Sequence, residues 1–400
     1  MMKKINKIIA TIFIPAAMIF TSCFDPIFYE IRQDVEPLSA TVNGNIGQIT
    51  RYTMTDGEYL FLAANNGLRY KKADNNEHGS WDDYPVPFDL PSYSFNDSEL
   101  QGQHIIGVFA NTNYLYLFTA EYTTTGKEGS TNPDKIHLYG KNNTKKDWQE
   151  ILNEDINDSE YFSMYIKKSD KHYYSDFNVF QTNSPNKDHR SVYIFNEETD
   201  KLYKLTGLTK ADITETAYTL YEDSLALYES SEYIRPRAVA YYDDEYIFFN
   251  AVAVATDETE SSPAEKLYFS KGSKLYYQKT PTNPELKDID CDKDIISIAT
   301  TNDSVLIGLG NIASAKNGGI KRAVFDGGEL KIADFPSGNN IQSKITTDHI
   351  PMVLLNATPD KTEEESSLYA ALTFAGTSNA AYEDIGLWSY YPDRKKWNRE

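Results

Sequence analysis

The fold is decided by residues 52–81, which read Tyr52-Thr-Met-Thr, Asp-Gly57-Glu, Tyr59-Leu-Phe-Leu-Ala-Ala64, Asn-Asn66-Gly67, Leu68-Arg-Tyr70 and then polar residues up to Trp81. Glycine and the Asn-Gly pair supply the positive φ that tight hairpin turns need. The stretch therefore predicts strand, turn, strand, turn and strand, with a fourth strand beginning at the tryptophan.

The same order of an inner strand, a turn and a Tyr-apolar strand returns downstream. Its equivalent positions, Leu60, Leu115, Tyr173, Ile247, Leu306 and Tyr369, are separated by steps of 55 to 74 residues. Because a four-stranded propeller repeat needs about 40 to 50 residues plus loops, we predict an all-β protein, a β-propeller of six blades of four-stranded antiparallel sheets. A seventh blade is the alternative if residues 209–233 form one. A chain of two β-sandwiches is the competing fold, but the recurring strand order does not suit a Greek key.

Alternating apolar residues and turn signals place the individual strands. Blade 1 spans residues 46–86, and blade 2 takes residues 105–110, 114–118 and 135–139 with a fourth strand after Trp148. The next two blades are predicted at residues 161–166, 171–174, 191–196 and 201–205, and at 237–242, 246–250, 266–269 and 274–278. The last two are predicted at residues 295–300, 304–309, 319–325 and 329–333, and at 349–356, 368–374 and 386–390.

The end of the ring raises the question of how the last blade is completed. Trp397 begins a strand with only three residues after it, and an unfilled sheet edge would expose unpaired backbone groups. The short apolar segment Pro37 to Val42 has no other partner in the predicted fold. We therefore expect this N-terminal strand to close the last blade by pairing with residues 386–390.

The N-terminus has the pattern of an export signal. Lys3, Lys4 and Lys7 precede an apolar run, Ile8 to Phe20, which is too short to span a bilayer. Thr21-Ser22 then precedes Cys23, and this arrangement resembles a bacterial lipoprotein signal peptide, with the looser lipobox of the spirochaete type. The resemblance implies cleavage before Cys23, diacylation (palmitate and related chains) of its sulfur and acylation of the new amino terminus. An ordinary secretory signal followed by a coincidental cysteine is the alternative.

Three regions follow from this interpretation. Residues 1–22 are the lipoprotein signal peptide, residues 23–36 are a lipid-anchored tether, and residues 37–400 are the β-propeller domain. The chain as a whole resembles spirochaete-type propeller lipoproteins of unknown function, which implies a place in the cell envelope, at the outer rather than the inner membrane, facing the periplasm or the surface.

The charge of the chain restricts its partners. Removal of the leader's three lysines takes the formal net charge from −20 to −23. Nucleic acid is excluded as a partner, since phosphate binding needs a basic patch. An acidic body is also repelled by anionic lipid, so contact with the membrane must come from the lipid on Cys23.

The second cysteine, Cys291, has no partner for an intramolecular disulfide if Cys23 carries lipid. Asp290 and Asp292 flank it, and neighbouring carboxylates raise the pKa of a thiol and suppress the reactive thiolate. An inert thiol is therefore predicted.

Patterns associated with cofactors and metals are incomplete. The alternating acids from Asp288 to Asp294 resemble a calcium loop, but Lys293 and Ala299 occupy the positions where such a loop has Gly and a carboxylate. We predict a solvated acidic turn instead. Residues 308–313 resemble a dinucleotide fingerprint but are not followed by a helical pattern. The six histidines are not spaced as zinc ligands. No metal and no cofactor are expected.

Two functions from different classes remain. The first is a lipid-anchored propeller that acts as a binding or interaction scaffold for a protein or glycan ligand, without enzymatic activity. The second is a hydrolase or lyase acting on glycans, with carboxylates at the central channel. The chain contains no Gly-x-Ser-x-Gly elbow and no phosphate-binding loop, which favours the non-enzymatic scaffold.

Overall fold

The structure is a computed structural model. It describes residues 42, 46, 48–64, 67–90, 99–127, 133–144, 147–162, 178–182, 184, 186–196, 198–218, 238–242, 244–249, 251–257, 264–278, 287–302, 304–311, 316–326, 329–335, 345, 349–358, 361–362, 365–374, 386–394 and 397–400. The predicted signal peptide, Cys23 and the tether lie outside these ranges. Within them, helices are limited to single 3-10 turns, and none has the length and hydropathy of a membrane span.

The described residues form seven antiparallel sheets, six of four strands and one of two. Sheet 1 contains β1 (Ile49–Met54), β2 (Gly57–Ala64), β3 (Gly67–Lys72) and β4 (Asp82–Tyr84), and sheet 2 contains β5 (Glu99–Ala110), β6 (Tyr114–Lys127), β7 (Lys135–Asn142) and β8 (Gln149–Asp155). Sheet 3 contains β9 (Val179–Gln181), β10 (Val192–Asn196), β11 (Lys201–Leu205) and β12 (Ile213–Thr216), and sheet 4 contains β13 (Ala238–Tyr242) and β14 (Glu245–Phe249).

The second half of the chain continues the pattern. Sheet 5 contains β15 (Val252–Asp257), β16 (Ala264–Lys271), β17 (Lys274–Gln278) and β18 (Lys287–Asp290), and sheet 6 contains β19 (Ile295–Thr300), β20 (Val305–Asn311), β21 (Lys316–Asp326) and β22 (Glu329–Asp334). Sheet 7 contains β23 (His349–Asn356), β24 (Leu368–Phe374), β25 (Gly386–Tyr390) and β26 (Trp397–Arg399). Within each sheet the strands pair in chain order.

The first hairpin shows why the sequence folds this way. Met54 pairs with Gly57 across a two-residue turn, and Gly57 has a φ of +143°, which side chains rarely allow. The strand that follows is buried on both faces: Leu60 and Leu62 point to one neighbouring sheet, while Phe61 points to the other. A continuous apolar run is therefore what a strand between two packed sheets requires.

Seven apolar clusters lie between the sheets and connect them in a ring. Their central pairs, in chain order, are Phe61 and Leu117, Phe118 and Val192, Tyr193 and Phe248, Phe249 and Phe269, Tyr277 and Ile307, and Leu306 and Trp388. The seventh cluster contains Leu62 of sheet 1 and Tyr369 of sheet 7. First and last sheets are thus in contact, and the predicted β-propeller is confirmed with seven sheets rather than the six favoured from the sequence.

The additional sheet does not come from residues 209–233, where the alternative had placed it. It comes from the predicted fourth blade, which the structure divides in two. The strand ending at Phe249 pairs only with β13 among the described residues, while β16 pairs with β15, a strand that the sequence reading had missed. Phe249 does contact Phe269, with ring centroids 4.4 Å apart, but this contact is between sheets. Alternation identifies strands without saying which of them share a ladder.

The predicted third blade also needs correction. Its strands at residues 191–196 and 201–205 are confirmed, but Tyr161 and Phe162 are not in a strand, and residues 163–166 and 171–174 lie outside the described ranges. The inner strand is instead Val179–Gln181, which is too short to give a periodic signal. The outer strand, Ile213–Thr216, follows a single 3-10 turn at Lys210–Asp212.

The predicted pairing of residues 37–42 with the Gly386–Tyr390 strand is wrong. That strand has β24 on one edge and β26 on the other, so neither edge is open. Val42, which the structure does describe, lies at the last sheet all the same: its N–H donates to the backbone oxygen of Glu400, 2.9 Å away. Residues 37–41 lie outside the described ranges.

Candidate functional site

The inner strands, where the sequence placed a hypothetical channel site, are tied to one another by polar side chains. Gln181, on the inner strand of sheet 3, accepts hydrogen bonds at Oε1 from the Thr50 hydroxyl (2.9 Å) and from the backbone N–H of Ala110 (2.9 Å). Its amide nitrogen donates to the backbone oxygen of Ile49 (3.3 Å). One buried amide therefore connects the inner strands of sheets 1, 2 and 3.

A second contact of this kind joins sheets 1 and 3 at the end of the ring that carries the β1–β2 turn. The guanidinium of Arg190, which is buried, pairs with the carboxylate of Glu58. Arg190 lies in the connection before β10, and its Nε also donates to the backbone oxygen of Ser184 (3.2 Å). Since sheet 2 lies between sheets 1 and 3 in the ring, this connection reaches across the end of sheet 2. Thr112, in the turn between β5 and β6 of sheet 2, contacts the same connection: its backbone N–H donates to the backbone oxygen of Arg190 (3.2 Å).

Acidic residues are rare on the inner strands. Among the seven, only Glu99 at the start of β5 and Asp257 at the end of β15 carry a carboxylate. A pair of carboxylates for glycan hydrolysis would therefore have to come from strand ends or connections, and Glu58, which lies close to the inner strands, is engaged with Arg190.

A polar cluster on sheet 2 brings an imidazole between two carboxylates. His137 Nε2 lies 2.9 Å from Glu121 Oε2, and His137 Nδ1 lies 3.0 Å from Glu150 Oε1. Both contacts are hydrogen bonds only when both ring nitrogens carry a proton. Tyr139 stacks on the imidazole with the ring planes 5° apart, and its hydroxyl accepts from Gln103 (2.9 Å). The cluster links all four strands of sheet 2, and no group of three His, Cys, Asp or Glu side chains in the described ranges is suited to hold a metal.

A buried polar network lies between sheets 1 and 7. We call this contact the seam. At its centre is the ammonium group of Lys71, whose residue is 2% exposed. The Nζ atom lies 5.3 Å from the ring centroids of Trp81 and Tyr391 and 5.7 Å from that of Tyr369, within the range of cation–π attraction. It also donates to the hydroxyl of Tyr391 (2.9 Å).

The carboxylate of Glu400, which is fully buried, completes the network. One oxygen accepts hydrogen bonds from the hydroxyls of Ser389 and Tyr391, and the other accepts from the indole N–H of Trp81 (3.1 Å). Lys71 reaches this anion through the Tyr391 hydroxyl. A cation, an anion and three aromatic rings are thus buried together, and the arrangement satisfies the rule that buried charges need partners.

Burial sets the protonation behaviour of the seam. Desolvation lowers the pKa of Lys71 to about 8, although the charge of Glu400 opposes the change. The ammonium form nevertheless persists at neutral pH. Desolvation also raises the pKa of the Tyr391 and Tyr369 hydroxyls above their usual value, and the negative charge of Glu400 adds to the effect.

Cys23, the predicted lipidation site, lies outside the described residues, and the other residues singled out from the sequence lie in the core or on strands. Cys291 is buried, and desolvation, followed by Asp290 and Asp292, raises its pKa to about 11, in the predicted direction. The acidic run is not a turn throughout: Asp288 and Asp290 lie on the outer strand β18, where Asp288 pairs with Lys274 (2.7 Å). Gly308, in the fingerprint-like segment, lies on β20.

The sequence reading did not identify Lys71 or Glu400. A signal for the lysine exists, because blades 1 and 2 both place a lysine on the third strand and a tryptophan just before the fourth, as Lys71 with Trp81 and Lys141 with Trp148. No local sequence pattern indicates a role for Glu400, because its contact with Trp81 exists only when sheets 1 and 7 pack together.

No protein-family model matches the chain, and no curated protein matches it. Solved structures similar to it include one titled as the mitotic checkpoint complex (9% identity, TM-score 0.36, covering 90% of this chain and 95% of that chain). A mutant of AofleA from Arthrobotrys oligospora has 9% identity and a TM-score of 0.36, with 91% and 87% covered. A putative oxidoreductase (glucose dehydrogenase) from Thermus thermophilus has 10% identity and a TM-score of 0.38, with 88% and 98% covered. At these values the similarity does not bear on what the chain binds or catalyses.

Proposed function

We propose that this protein is an exported lipoprotein, anchored to a bacterial membrane through Cys23, whose propeller is a binding scaffold rather than an enzyme. The observation that carries the anchor is the order of lysines, a short apolar run and Thr21-Ser22-Cys23. Several acyl chains on one cysteine give a stable anchor, where a single chain is marginal.

The hydrogen bonds made by the inner strands favour a binding scaffold over an enzyme. Polar side chains that could have faced a substrate instead bond to neighbouring sheets: Gln181 and Thr50 do so in sheets 1 to 3, and Ser297 donates to the Pro351 oxygen (2.6 Å) between sheets 6 and 7. These bonds stiffen the ring and leave its outer strands and connections for contact with a protein or glycan. The cell envelope, with the outer membrane as the site of the anchor, is the proposed location.

The anchor is tested by replacing Cys23 with Ala. The variant should lose labelling with palmitate and move from the detergent phase to the aqueous phase, because the acylated sulfur is gone. Cys291→Ala is the matched control, since it removes the other cysteine and should leave labelling and partitioning unchanged. Palmitate on the Cys23→Ala protein, or unchanged partitioning, would overturn the lipoprotein assignment.

The scaffold and the enzyme are separated by measuring turnover and binding on the same protein. We expect no turnover of glycan, ester or peptide substrates, and saturable binding of an envelope glycan or protein by the acyl-free ring. Reproducible glycan cleavage that is abolished by a single carboxylate substitution would establish the hydrolase or lyase instead. Protease treatment of intact cells, compared with opened cells, distinguishes a surface-exposed ring from a periplasmic one.

A further inference from the structure

The seam differs from the other contacts between sheets because the two sheets that it joins are not consecutive in the chain. Sheets 1 to 7 follow one another in sequence, so six of the seven contacts join sheets that the backbone connects directly. The contact between sheets 7 and 1 joins the first and last sheets of the ring, which no loop between consecutive sheets connects. Among the described residues, the backbone approaches this contact at Val42, seven residues before β1, whose N–H donates to the Glu400 backbone oxygen (2.9 Å), so side-chain packing and hydrogen bonds resist the separation of these two sheets.

We propose that the caged ammonium group of Lys71, balanced by Glu400, is a lock that holds the propeller ring closed. Lys71 and Trp81 belong to sheet 1, while Tyr369, Tyr391 and Glu400 belong to sheet 7 or follow its strands. Separating the sheets would withdraw the ammonium from two of its three rings and would break the Trp81–Glu400 hydrogen bond. It would also break the hydrogen bond from Lys71 to the Tyr391 hydroxyl, which itself donates to the Glu400 carboxylate.

A second group of contacts clasps sheet 7 beside the lock. The connection between β3 and β4 reaches over the seam, where Asn76 accepts from the Ser367 hydroxyl (2.6 Å) and the His78 ring contacts the Arg399 oxygen (2.6 Å). The N–H of Gly79 points to the Glu400 carboxylate (3.4 Å). Because the lock and the clasp share Glu400 and its neighbours, the seam should open as one unit.

Sheet 2 offers an internal comparison. Lys141 is buried like Lys71, lies 4.8 Å from the ring of Tyr84 and 5.5 Å from that of Trp148, and donates to the Tyr84 hydroxyl (2.6 Å). This caged lysine lies between sheets 1 and 2, which the chain connects. A buried lysine among aromatic rings is therefore found both between sheets 1 and 2, which are consecutive in the chain, and between sheets 7 and 1, which are not.

The experiment compares Lys71→Met with Lys141→Met in the full chain, by hydrogen exchange resolved to individual sheets. Methionine at position 71 removes the Nζ hydrogen bonds to the Tyr391 hydroxyl and the Glu77 backbone oxygen, together with the contacts between Nζ and the rings of sheet 7. We therefore expect Lys71→Met to speed exchange in sheets 1 and 7 by about tenfold or more relative to sheets 3 and 4. Lys141→Met should leave sheet 7 unchanged. Equal acceleration in all sheets, or none at the seam, would overturn the lock.

Two further variants keep the test decisive if Lys71→Met does not fold. Glu400→Gln keeps the shape of the side chain but removes its charge and replaces one accepting oxygen with an NH2 donor, and it should also accelerate exchange at the seam. The double variant Lys71→Met with Glu400→Gln should be less affected than the sum of the single variants, because it leaves neither of the two charges buried without the other. Strict additivity of the two changes would show that the charges are not coupled and would contradict the proposal.

Discussion

At the scale of single residues, close packing between sheets explains a glycine that the sequence presents as part of a nucleotide fingerprint. A Cβ atom on Gly308 would overlap the Ser297 hydroxyl oxygen and would lie 2.9 Å from the backbone oxygen of Pro351. These two groups are hydrogen-bonded to each other. Gly308 is therefore required by the approach of sheet 7 to sheet 6.

We predict that Gly308→Ala lowers the thermal stability of the protein. The new methyl group must displace the backbone at Pro351 or break the Ser297 hydrogen bond, and overpacking of this kind costs about 1–3 kcal/mol. Gly57→Ala is a useful comparison, because that glycine has open space around its Cβ position and is constrained by its φ alone. Calorimetry of both variants measures the effect, and an unchanged melting temperature for Gly308→Ala would refute the close approach.

Lys71 and Glu400 show what a local reading of residues cannot provide. The lysine lies beside a second one, Lys72, whose residue is exposed, and strand alternation alone places one of the two inside. Which of the two lysines lies near the Glu400 carboxylate depends on sheet 7, since the bridging residue Tyr391 is 320 positions further along the chain than Lys71. A buried charge network is a property of the assembled ring.

At the scale of strands and sheets, the sequence predicted best where each strand has a strong apolar run and a definite turn. Sheets 1, 2, 6 and 7 were located in this way, including the fourth strands that follow Trp81 and Trp148. The tight turn just before Gly57 and the run from Tyr59 to Ala64 carry both signals at once. Such agreement between turn chemistry and alternation leaves few competing pairings.

The errors fall where one of these signals is weak. Val252 to Asp257 alternates small residues, Val-Ala-Val-Ala, and was not recognised as an inner strand. Val179–Gln181 has three residues. In β18 the exposed Asp288 and Asp290 alternate with the half-buried Ile289, so an acidic pattern that suggested a turn is the outward face of an edge strand. Edge strands commonly carry charge, which protects them from pairing with other chains.

At the scale of the whole molecule, burial of many tyrosines should govern stability in alkali. Tyr52, Tyr116, Tyr193, Tyr369 and Tyr391 are at most 2% exposed, and desolvation raises the pKa of each hydroxyl above its usual value near 10. Above pH 10 the unfolded chain loses these protons while the folded protein retains them. Stability should therefore fall with rising pH, by about 1.4 kcal/mol per pH unit for each fully retained proton.

Titration of Lys71 has the opposite effect on the stability of the protein, and it does so over a lower range of pH. Its pKa is about 8 in the folded protein, below the ordinary lysine value of 10.5. Between these values the folded protein has released a proton that the unfolded chain still binds, so the free energy of unfolding should rise from pH 8 toward pH 10. The Lys71→Met variant lacks this group and should lose the rise while keeping the decline above pH 10.

Urea unfolding at intervals from pH 7 to 11.5, together with tyrosinate absorbance, measures both effects. We expect the five buried tyrosines to ionise in a single step that coincides with loss of the near-UV circular dichroism signal. The urea-unfolded chain is the reference, since all of its tyrosines should titrate near their ordinary pKa. If all tyrosines of the folded ring ionise near pH 10 while its circular dichroism remains intact, the buried hydroxyls are accessible to solvent, and the tightly closed ring inferred from its seven apolar contacts is wrong.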